Sequence, residues 1–297
     1  MSRVVARIVG GLGNQLFCYA AARRLALVNG AELLIDDVTG FARDSEYRRQ
    51  YGLDRFRIPA RKATPQERLE PFERYRRGMM KWLSRRKSFE KRRYVEQQGA
   101  EFDERLLGLK VNGTVYLDGL WQSEGYFKDV EHQIRRDLEI MPPTDLANQR
   151  MSERIRAANA VALHVRWFDD PDAASLHNLP LGYYRRAIRI IERAVASPHY
   201  FLFSDNPEAS MDRLDLPRDR ITPICHNRAP ETAYADLWLM SQCRHFITAN
   251  STFSWWAAWL GAGDRKLVVS PHFKVDGKAA WGFQGLIPAE WILAPVA

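Results

Sequence analysis

Arg244–Gly261 reads RHFITANSTFSWWAAWLG, and the reading of this stretch decides the fold. Phe246-Ile-Thr-Ala249 has the length and composition of a short buried strand. Three small polar residues, Asn250-Ser-Thr252, follow it. Phe253–Leu260 then has the length and apolar character of a buried helix, with Trp255 and Trp259 one turn apart and Ala257 and Ala258 small enough for close approach. Strand, polar turn and helix together form the layout in which main-chain N–H groups at a helix N-terminus receive an anion. The same turn also reads as a plain helix cap, since Asn, Ser and Thr are favoured there. The stretch alone leaves both readings open.

Working outward, the same alternation recurs. Upstream, Ala160–Val165 is a strand that carries His164 and leads to Arg166. Leu181–Ala196 is a helix, Tyr200–Phe203 a strand ending at Ser204-Asp-Asn-Pro-Glu208, and Glu231–Gln242 a helix that holds Asp236. Downstream, Lys266–Val269 is a last short strand. At the other end of the chain, Arg3–Val9 is a strand, Gly10-Gly-Leu-Gly-Asn14 a glycine loop, Gln15–Val28 a helix and Ala31–Asp36 a second strand. Thr114–Asp118 is a further strand and Val130–Ile140 a helix. Met141-Pro-Pro143 ends that helix and is the candidate boundary between domains at 1–143 and 144–297. Strands alternating with helices imply an α/β fold with parallel sheets covered on both faces. In such sheets ligands bind at the carboxyl ends of the strands. Arg166, Asp205 and Asn250-Ser-Thr252 all fall at or just past those ends.

Composition narrows the partners. The chain has 297 residues, 46% hydrophobic and 27% charged, as a globular protein of two ordinary domains would. No apolar run approaches the roughly 20 residues that span a bilayer. The N-terminal apolar run is too short and too often interrupted for a signal peptide. Three cysteines fit neither a disulfide framework nor a tetrahedral metal site, which points to a reducing compartment and a cytoplasmic protein. The net charge of +8 sits in one segment, because Arg61–Arg93 holds thirteen Lys or Arg against four Glu. That concentration argues against a nucleic-acid protein, whose basic residues spread over a face. Within the segment, Phe72, Tyr75, Met79 and Trp82 form an apolar stripe at helical spacing. One reading is a solvated helix packed on its domain by that stripe. The sharper one is a basic amphipathic helix drawn to anionic lipid, which would place the protein peripherally at the inner face of a membrane.

The candidate site residues have ordinary alternatives. Arg166 suits bidentate contact with phosphate, or it pairs with Asp169, Asp170 or Asp172. His164 is a core histidine or a catalytic one. Asp205 caps the Pro207 turn or accepts from ribose hydroxyls, and Asp236 receives N–H donors from a guanine edge or lies exposed on its helix. In the glycine loop, Gly11 and Gly13 supply backbone freedom or let a ligand approach, and Asn14 presents an amide at the helix start. Leu120-Trp-Gln-Ser-Glu-Gly-Tyr-Phe127 brings Trp121 together with Gln122 and Glu124, as a sugar-binding wall or a packing element. No His or carboxylate cluster suggests a metal.

Taken together, these motifs resemble the alpha-1,2-fucosyltransferases of glycosyltransferase family 11. The resemblance rests on Gly10-Gly-Leu-Gly-Asn-Gln-Leu-Phe17, Leu120–Phe127, His164-Val-Arg166, Phe203-Ser-Asp-Asn-Pro-Glu208, and Asp236-Leu-Trp-Leu-Met-Ser241 running into Asn250–Trp259. It implies two Rossmann-like domains facing across a cleft, of GT-B type, with the sugar nucleotide on the C-terminal one. It implies inverting transfer of L-fucose from GDP-fucose to a galactose hydroxyl, without an essential metal or other cofactor. By the same resemblance Arg166 binds the diphosphate, Asp236 reads guanine, Ser251 and Thr252 form the small polar turn near the phosphates, and Asn14 lies close to the reacting sugar. Asp169 is the candidate base. Trp121, Gln122 and Glu124 are expected on the acceptor side. One departure stands out. The family pattern is His-x-Arg-Arg-x-Asp, and here Trp167 takes the second Arg position. Either Arg228, Arg244 or His245 substitutes, or the donor or acceptor differs.

Overall fold

The computed structural model describes residues 1–171, 177–263, 265–275 and 278–296. The chain divides into two compact units. Unit one is Met1–Glu139 with Gln284–Leu286, and unit two is Ile140–Phe283 with Ile287–Ala297.

Unit one is built on strands β1 (Arg3–Arg7), β2 (Glu32–Asp36), β3 (Arg61–Lys62), β4 (Tyr94–Glu96) and β5 (Thr114–Asp118). All pair in parallel, in the order β3-β2-β1-β5-β4. Helix α1 (Leu12–Val28) joins β1 to β2, α2 (Glu73–Arg85) precedes β4, and α3 (Glu131–Asp137) ends the unit. The centre of β1, Val4-Val-Ala6, is buried, as a strand covered on both faces must be.

In α2 the structure reverses one expectation. The apolar stripe does not pack on the domain. Phe72, Tyr75, Met79 and Trp82 all point to solvent, and the helix is fastened through its charged face. Lys81 Nζ lies 2.6 Å from Glu96 Oε1 and 3.0 Å from Asp118 Oδ2. Arg77 donates to Thr39 Oγ1 at 2.7 Å, and buried Ser84 accepts from the Tyr94 amide at 3.1 Å.

Unit two opens with α4 (Leu146–Arg156). Strands β6 (Ala160–Val165), β7 (His199–Ser204), β8 (Ile221–Pro223), β9 (His245–Ile247), β10 (Val268–Val275) and β11 (Lys278–Trp281) run in the order β11-β10-β9-β6-β7-β8. Strand β12 (Ile292–Pro295) pairs with β10, and every pairing is parallel except that of β11 with β10. Helices α5 (Leu181–Ala194), α6 (Pro207–Arg213), α7 (Ala233–Ser241) and α8 (Thr252–Leu260) connect them. All six residues of β6 are buried. Helix α5 turns Tyr183, Tyr184, Ala187, Ile188 and Ile191 inward at spacings of three and four. The Tyr183 hydroxyl donates to Thr248 O at 2.6 Å, which ties α5 to the end of β9.

Helix α8 is apolar nearly all round, and it is buried accordingly. Trp255 stacks parallel on Trp259 with centroids 6.3 Å apart, and meets Trp256 edge-on at 5.0 Å and Trp291 at 5.5 Å. A helix ending this deep leaves orphan carbonyls. The Lys266 ammonium takes them, donating to Ala258 O at 2.8 Å, Gly261 O at 2.9 Å and Trp259 O at 3.4 Å. A cation there also matches the negative end of the helix. Replacing Lys266 with Met should therefore destabilise the protein by about 1–3 kcal/mol, the cost of stranding buried acceptors. Denaturant unfolding of Lys266→Met beside the wild type checks this; an unchanged midpoint would remove the assigned cap.

Candidate active site

Both sheets contain a strand where the connections depart to opposite sides. In unit one it is β1, flanked by β2 and β5; in unit two it is β6, flanked by β7 and β9. Loops leaving neighbouring parallel strands in opposite directions open a crevice at the carboxyl edge, which is where open α/β sheets bind ligands.

In unit one the glycine loop leaves β1 at that place. Gly10 has φ +76°, and a Cβ there would meet Asn14 Nδ2 at 2.8 Å, so the position suits glycine. Gly11 caps α1 and offers no side chain to its first-turn N–H groups. Gln15 is buried and fixes the loop, donating to Gly10 O at 2.9 Å and Gln50 O at 2.8 Å while accepting from the Gly52 amide at 2.8 Å. The segment following β5 arrives beside it, and Gln122 Nε2 donates to Asn14 Oδ1 at 2.9 Å. Two sequence-predicted residues, Asn14 and Gln122, are thus brought together by the pairing of β1 with β5. The two companions of Gln122 stand differently. Trp121 is only 1% exposed, adopts φ +52° and packs edge-on against Tyr126 at 5.4 Å. Glu124 is 9% exposed and binds Lys128 Nζ at 2.7 Å. Of the three, Gln122 is the partly exposed one.

In unit two Arg166 follows β6 and Asp205 follows β7, and they meet. Arg166 Nη1 lies 2.8 Å from Asp205 Oδ2. Asp205 Oδ1 accepts from the Trp167 amide at 3.0 Å. The carboxylate therefore aims the guanidinium. An arginine has five N–H donors, and this contact leaves most of them available to an anion. Asp170 and Asp169 make no ion pair with Arg166 among the described contacts; Asp172 lies outside the described residues. His164 is 6% exposed, and its ring lies 5.9 Å from Phe253. Burial, with Arg166 adding to it, pushes its pKa down to about 3, so the ring stays neutral at physiological pH.

The turn after β9 lies at the same edge. Asn250 donates to His177 O at 2.9 Å, while its buried Oδ1 has no hydrogen-bond partner among the described residues. Ser251 caps α8 by accepting from the Phe253 amide at 3.3 Å, and Thr252 opens the helix. Asn178 was not among the expected residues, yet it organises the loop from Arg166. Its Oδ1 accepts from the amides of Phe168 at 2.7 Å and Asp169 at 3.2 Å. Only its distance in sequence from the motif hid it.

Trp167, the residue after Arg166, turns away toward α6. Its indole donates to Ser210 Oγ of α6 at 2.9 Å and packs against the core cluster of the unit. The Arg213 guanidinium sits 5.6 Å from that ring. Two of the expected substitutes are misplaced. Arg244 precedes β9 and donates to Asn159 at 3.3 Å, and His245 begins β9 and accepts from the Leu267 amide at 3.1 Å. Both sit at the amino edge of a parallel sheet, the end opposite Arg166. Arg228 is exposed and donates to Cys225 O at 3.1 Å.

Asp236 belongs to a separate polar cluster. Its Oδ1 accepts from Asn227 at 2.8 Å; Asn227 and Asn148 exchange hydrogen bonds at 2.9 Å, and His226 lies 3.1 Å from Asn148. Desolvation raises the Asp236 pKa to about 7, against a small opposing effect of Asn227. A partly buried carboxylate beside amide side chains, with its pKa raised by desolvation, suits a ligand edge with N–H donors. Among the described residues, no group of three or more His, Cys, Asp or Glu converges as metal ligands would. No helix among the described residues is long and apolar enough to cross a membrane.

The fold has solved counterparts. Fucosyltransferase NodZ from Bradyrhizobium superposes with TM-score 0.52 at 16% identity, covering 86% of this chain and 92% of that one. FUT1 of Arabidopsis thaliana superposes with TM-score 0.53 at 16% identity, covering 90% of this chain and 70% of that one. These likenesses place the mixed α/β fold with that of GT-B fucosyltransferases. Two Escherichia coli proteins are similar in sequence. The alpha-1,2-colitosyltransferase is 29% identical over 280 residues, covering 91% of this chain and 92% of its own. The O-antigen biosynthesis glycosyltransferase WbnK is 32% identical over 289 residues, covering 89% and 92%. The model described as Glycosyl transferase family 11 matches residues 75–292, which takes in the Arg166–Asp205 pair, Asp236 and the turn into α8. On that match the chain belongs to glycosyl transferase family 11.

Proposed function

We propose that the protein is an inverting glycosyltransferase that moves L-fucose from GDP-fucose to the 2-hydroxyl of a galactose-containing glycan. The observation that carries this reading is the Arg166 guanidinium, held by Asp205 at the carboxyl edge of β6 in a member of this family. The alpha-1,2 linkage is in the name of one relative, and a surface-glycan acceptor is suggested by the name of the other.

The reaction breaks the bond between the sugar C1 and the diphosphate oxygen and forms one between C1 and the acceptor oxygen. Positive charge develops on the sugar ring while negative charge grows on the departing diphosphate. Arg166 and the main-chain amides where α8 begins supply fixed donors to that charge, with Asn250 and Ser251 shaping the turn. Neutral His164 supports the strand end without adding a competing cation. Asp205 aims Arg166, and its remaining lone pairs are placed for a ribose hydroxyl. Asp236 accepts from the guanine N1–H and exocyclic amine, which would offset its burial. Asn14, with the Gly11-Leu-Gly13 loop, lies close to the reacting sugar of the donor, and Gln122, which donates to Asn14, contacts the acceptor. Trp121 and Glu124 act behind them as support. The acceptor hydroxyl gives its proton to Asp169, directly or through water. Arg166 and helix donors take the role that a divalent ion has elsewhere, so no metal is required.

A second reading keeps the fold and the chemistry but changes the sugar to another GDP-deoxysugar. The colitosyl name of one relative and Trp167 at the second motif position favour it. Product analysis after offering a panel of GDP-sugars and galactosides, with and without chelator, separates the readings. Fucosylated product with a 1,2 linkage in chelator supports the first. Product from another GDP-sugar alone supports the second, and GDP-sugar binding without any product overturns both.

Replacing Arg166 with Ala should lower turnover on the order of a hundredfold or more. Arg166→Lys should recover part of it, since a point charge replaces the fork. Asp205 is half-exposed, so losing its partner should leave thermal stability nearly unchanged. Undiminished kcat in Arg166→Ala would remove the phosphate assignment.

The Asp236 assignment predicts a pH dependence. Below its pKa of about 7 the group is protonated in the free protein and cannot accept both guanine donors. GDP-fucose affinity should therefore rise with pH through about 7 and level off above it. The diphosphate of a GDP-sugar does not titrate there, so the change reports on the protein. In Asp236→Asn, calorimetry should show weaker binding with that dependence lost. The linkage to stability has the opposite sign. A raised folded pKa gives stability that is full below the ordinary carboxylate range and is lost as pH rises through about 7. Free-protein stability should thus fall across that window, and less steeply in Asp236→Asn.

A further inference from the structure

Helix α2 presents to solvent a face that holds none of the proposed site residues. Phe72 and Tyr75 are each 74% exposed, Trp82 54%, Met79 47% and Leu83 44%. They form one stripe because they recur at three- and four-residue spacing. Large apolar side chains scattered singly on a surface need no explanation, but a contiguous set does. The stripe is bordered by exposed cations. Arg74 and Arg76 lie to its sides, and Arg86 and Lys87 lie at its end. The Arg86 guanidinium rests 3.2 Å from the Trp82 ring centroid. Arg74, Arg86 and Lys87 make no ion pair among the described residues, whereas the cations on the opposite face, Arg77 and Lys81, bond back to the unit. The helix thus divides its basic residues into an inner set that fastens it and an outer set with no acidic partner.

We infer that α2 is a peripheral anchor for an anionic phospholipid bilayer. Phe72, Tyr75, Met79 and Trp82 enter the boundary between headgroups and acyl chains, and Arg74, Arg76, Arg86 and Lys87 meet lipid phosphates. Charge selects this occupant. The segment Arg61–Arg93 carries thirteen Lys or Arg against four Glu, so a second copy of the chain would set like charges against each other. A neutral apolar partner would leave the outer cations without counter-charge. An anionic interface satisfies both halves of the face at once, and Trp, Tyr and Arg are side chains suited to that depth. The inference stands apart from the transfer reading, since none of these residues belongs to the site after β1 or β6.

The test uses the full chain and vesicles of phosphatidylglycerol mixed with phosphatidylcholine, against pure phosphatidylcholine. Cosedimentation should show binding to the anionic vesicles that weakens with salt and little binding to the neutral ones. Each cation near such a surface should contribute about fivefold to the partition coefficient. The triple variant Tyr75→Ser, Met79→Ser, Trp82→Ser should bind about tenfold or more weakly. So should Arg74→Glu combined with Lys87→Glu. Both should keep the wild-type melting temperature and calorimetric GDP-fucose affinity, because all five side chains are exposed. Equal recovery with and without vesicles overturns the anchor. So does binding indifferent to lipid charge, and so does a concentration-dependent dimer that the triple variant abolishes while vesicles bind neither protein.

Discussion

A parallel strand hydrogen-bonded on both sides to strands whose connections leave in opposite directions cannot close over its own carboxyl end. The chain meets this constraint twice, at β1 and at β6. Everything chemically interesting is placed by it. Asn14 meets Gln122 because β5 runs parallel to β1, and Arg166 meets Asp205 because β7 runs parallel to β6. Neither pair is close in sequence. The pairing of strands makes them neighbours, and the burial of β6 along its length holds that pairing in register. The crevice therefore needs no separate device to stay open.

At β6 the charges are arranged so that one cation dominates. Burial keeps His164 neutral, the Trp167 indole is tied to α6, and Asp205 orients Arg166. An exposed ion pair contributes little to stability. On the proposed reading its worth is geometric, since an arginine fixed before the ligand arrives need not be ordered during reaction. The cost is a partly neutralised charge, and the amides at the start of α8 can restore it. Those amides are themselves fixed, because α8 is locked by stacked tryptophans and its carboxyl end is held by Lys266. Rigidity in the apolar half of the helix thus underlies electrostatics at its polar end.

How much of this was legible follows from where physical signals are local. Strands β1, β5 and β6 are short apolar runs between breakers, and the sequence marks them within two residues. The edge strands β3, β8 and β12 have two to four residues and no pattern of their own, so only their neighbours reveal them. Helix α4 was missed because it is polar, although Asp145 capping the Asn148 amide was a local sign of its start. In the site, residues following strands were found, since that rule is local. Asn178 and Asn227 were not, because each acts through a partner chosen by the fold. Trp121 shows the limit in the other direction. An aromatic beside amides reads as a sugar platform, and it is packed inside the unit against Tyr126.

The reversal of α2 has the same origin. Periodicity shows that a helix has two unlike faces, but not which one meets the protein. Apolar faces normally turn inward because burial outweighs other contributions. Here the sheet edge offers Glu96 and Asp118, with Thr39 close by, and the basic face of the helix answers it. Once Lys81 bridges two carboxylates, turning the helix over would leave Asp118, only 8% exposed, with one cation fewer. That buried carboxylate is already held by Arg7 and by the Tyr94 hydroxyl, which keep it ionised. The acidic edge of unit one thereby decides the orientation, and an apolar stripe faces outward because the helix is attached by charge.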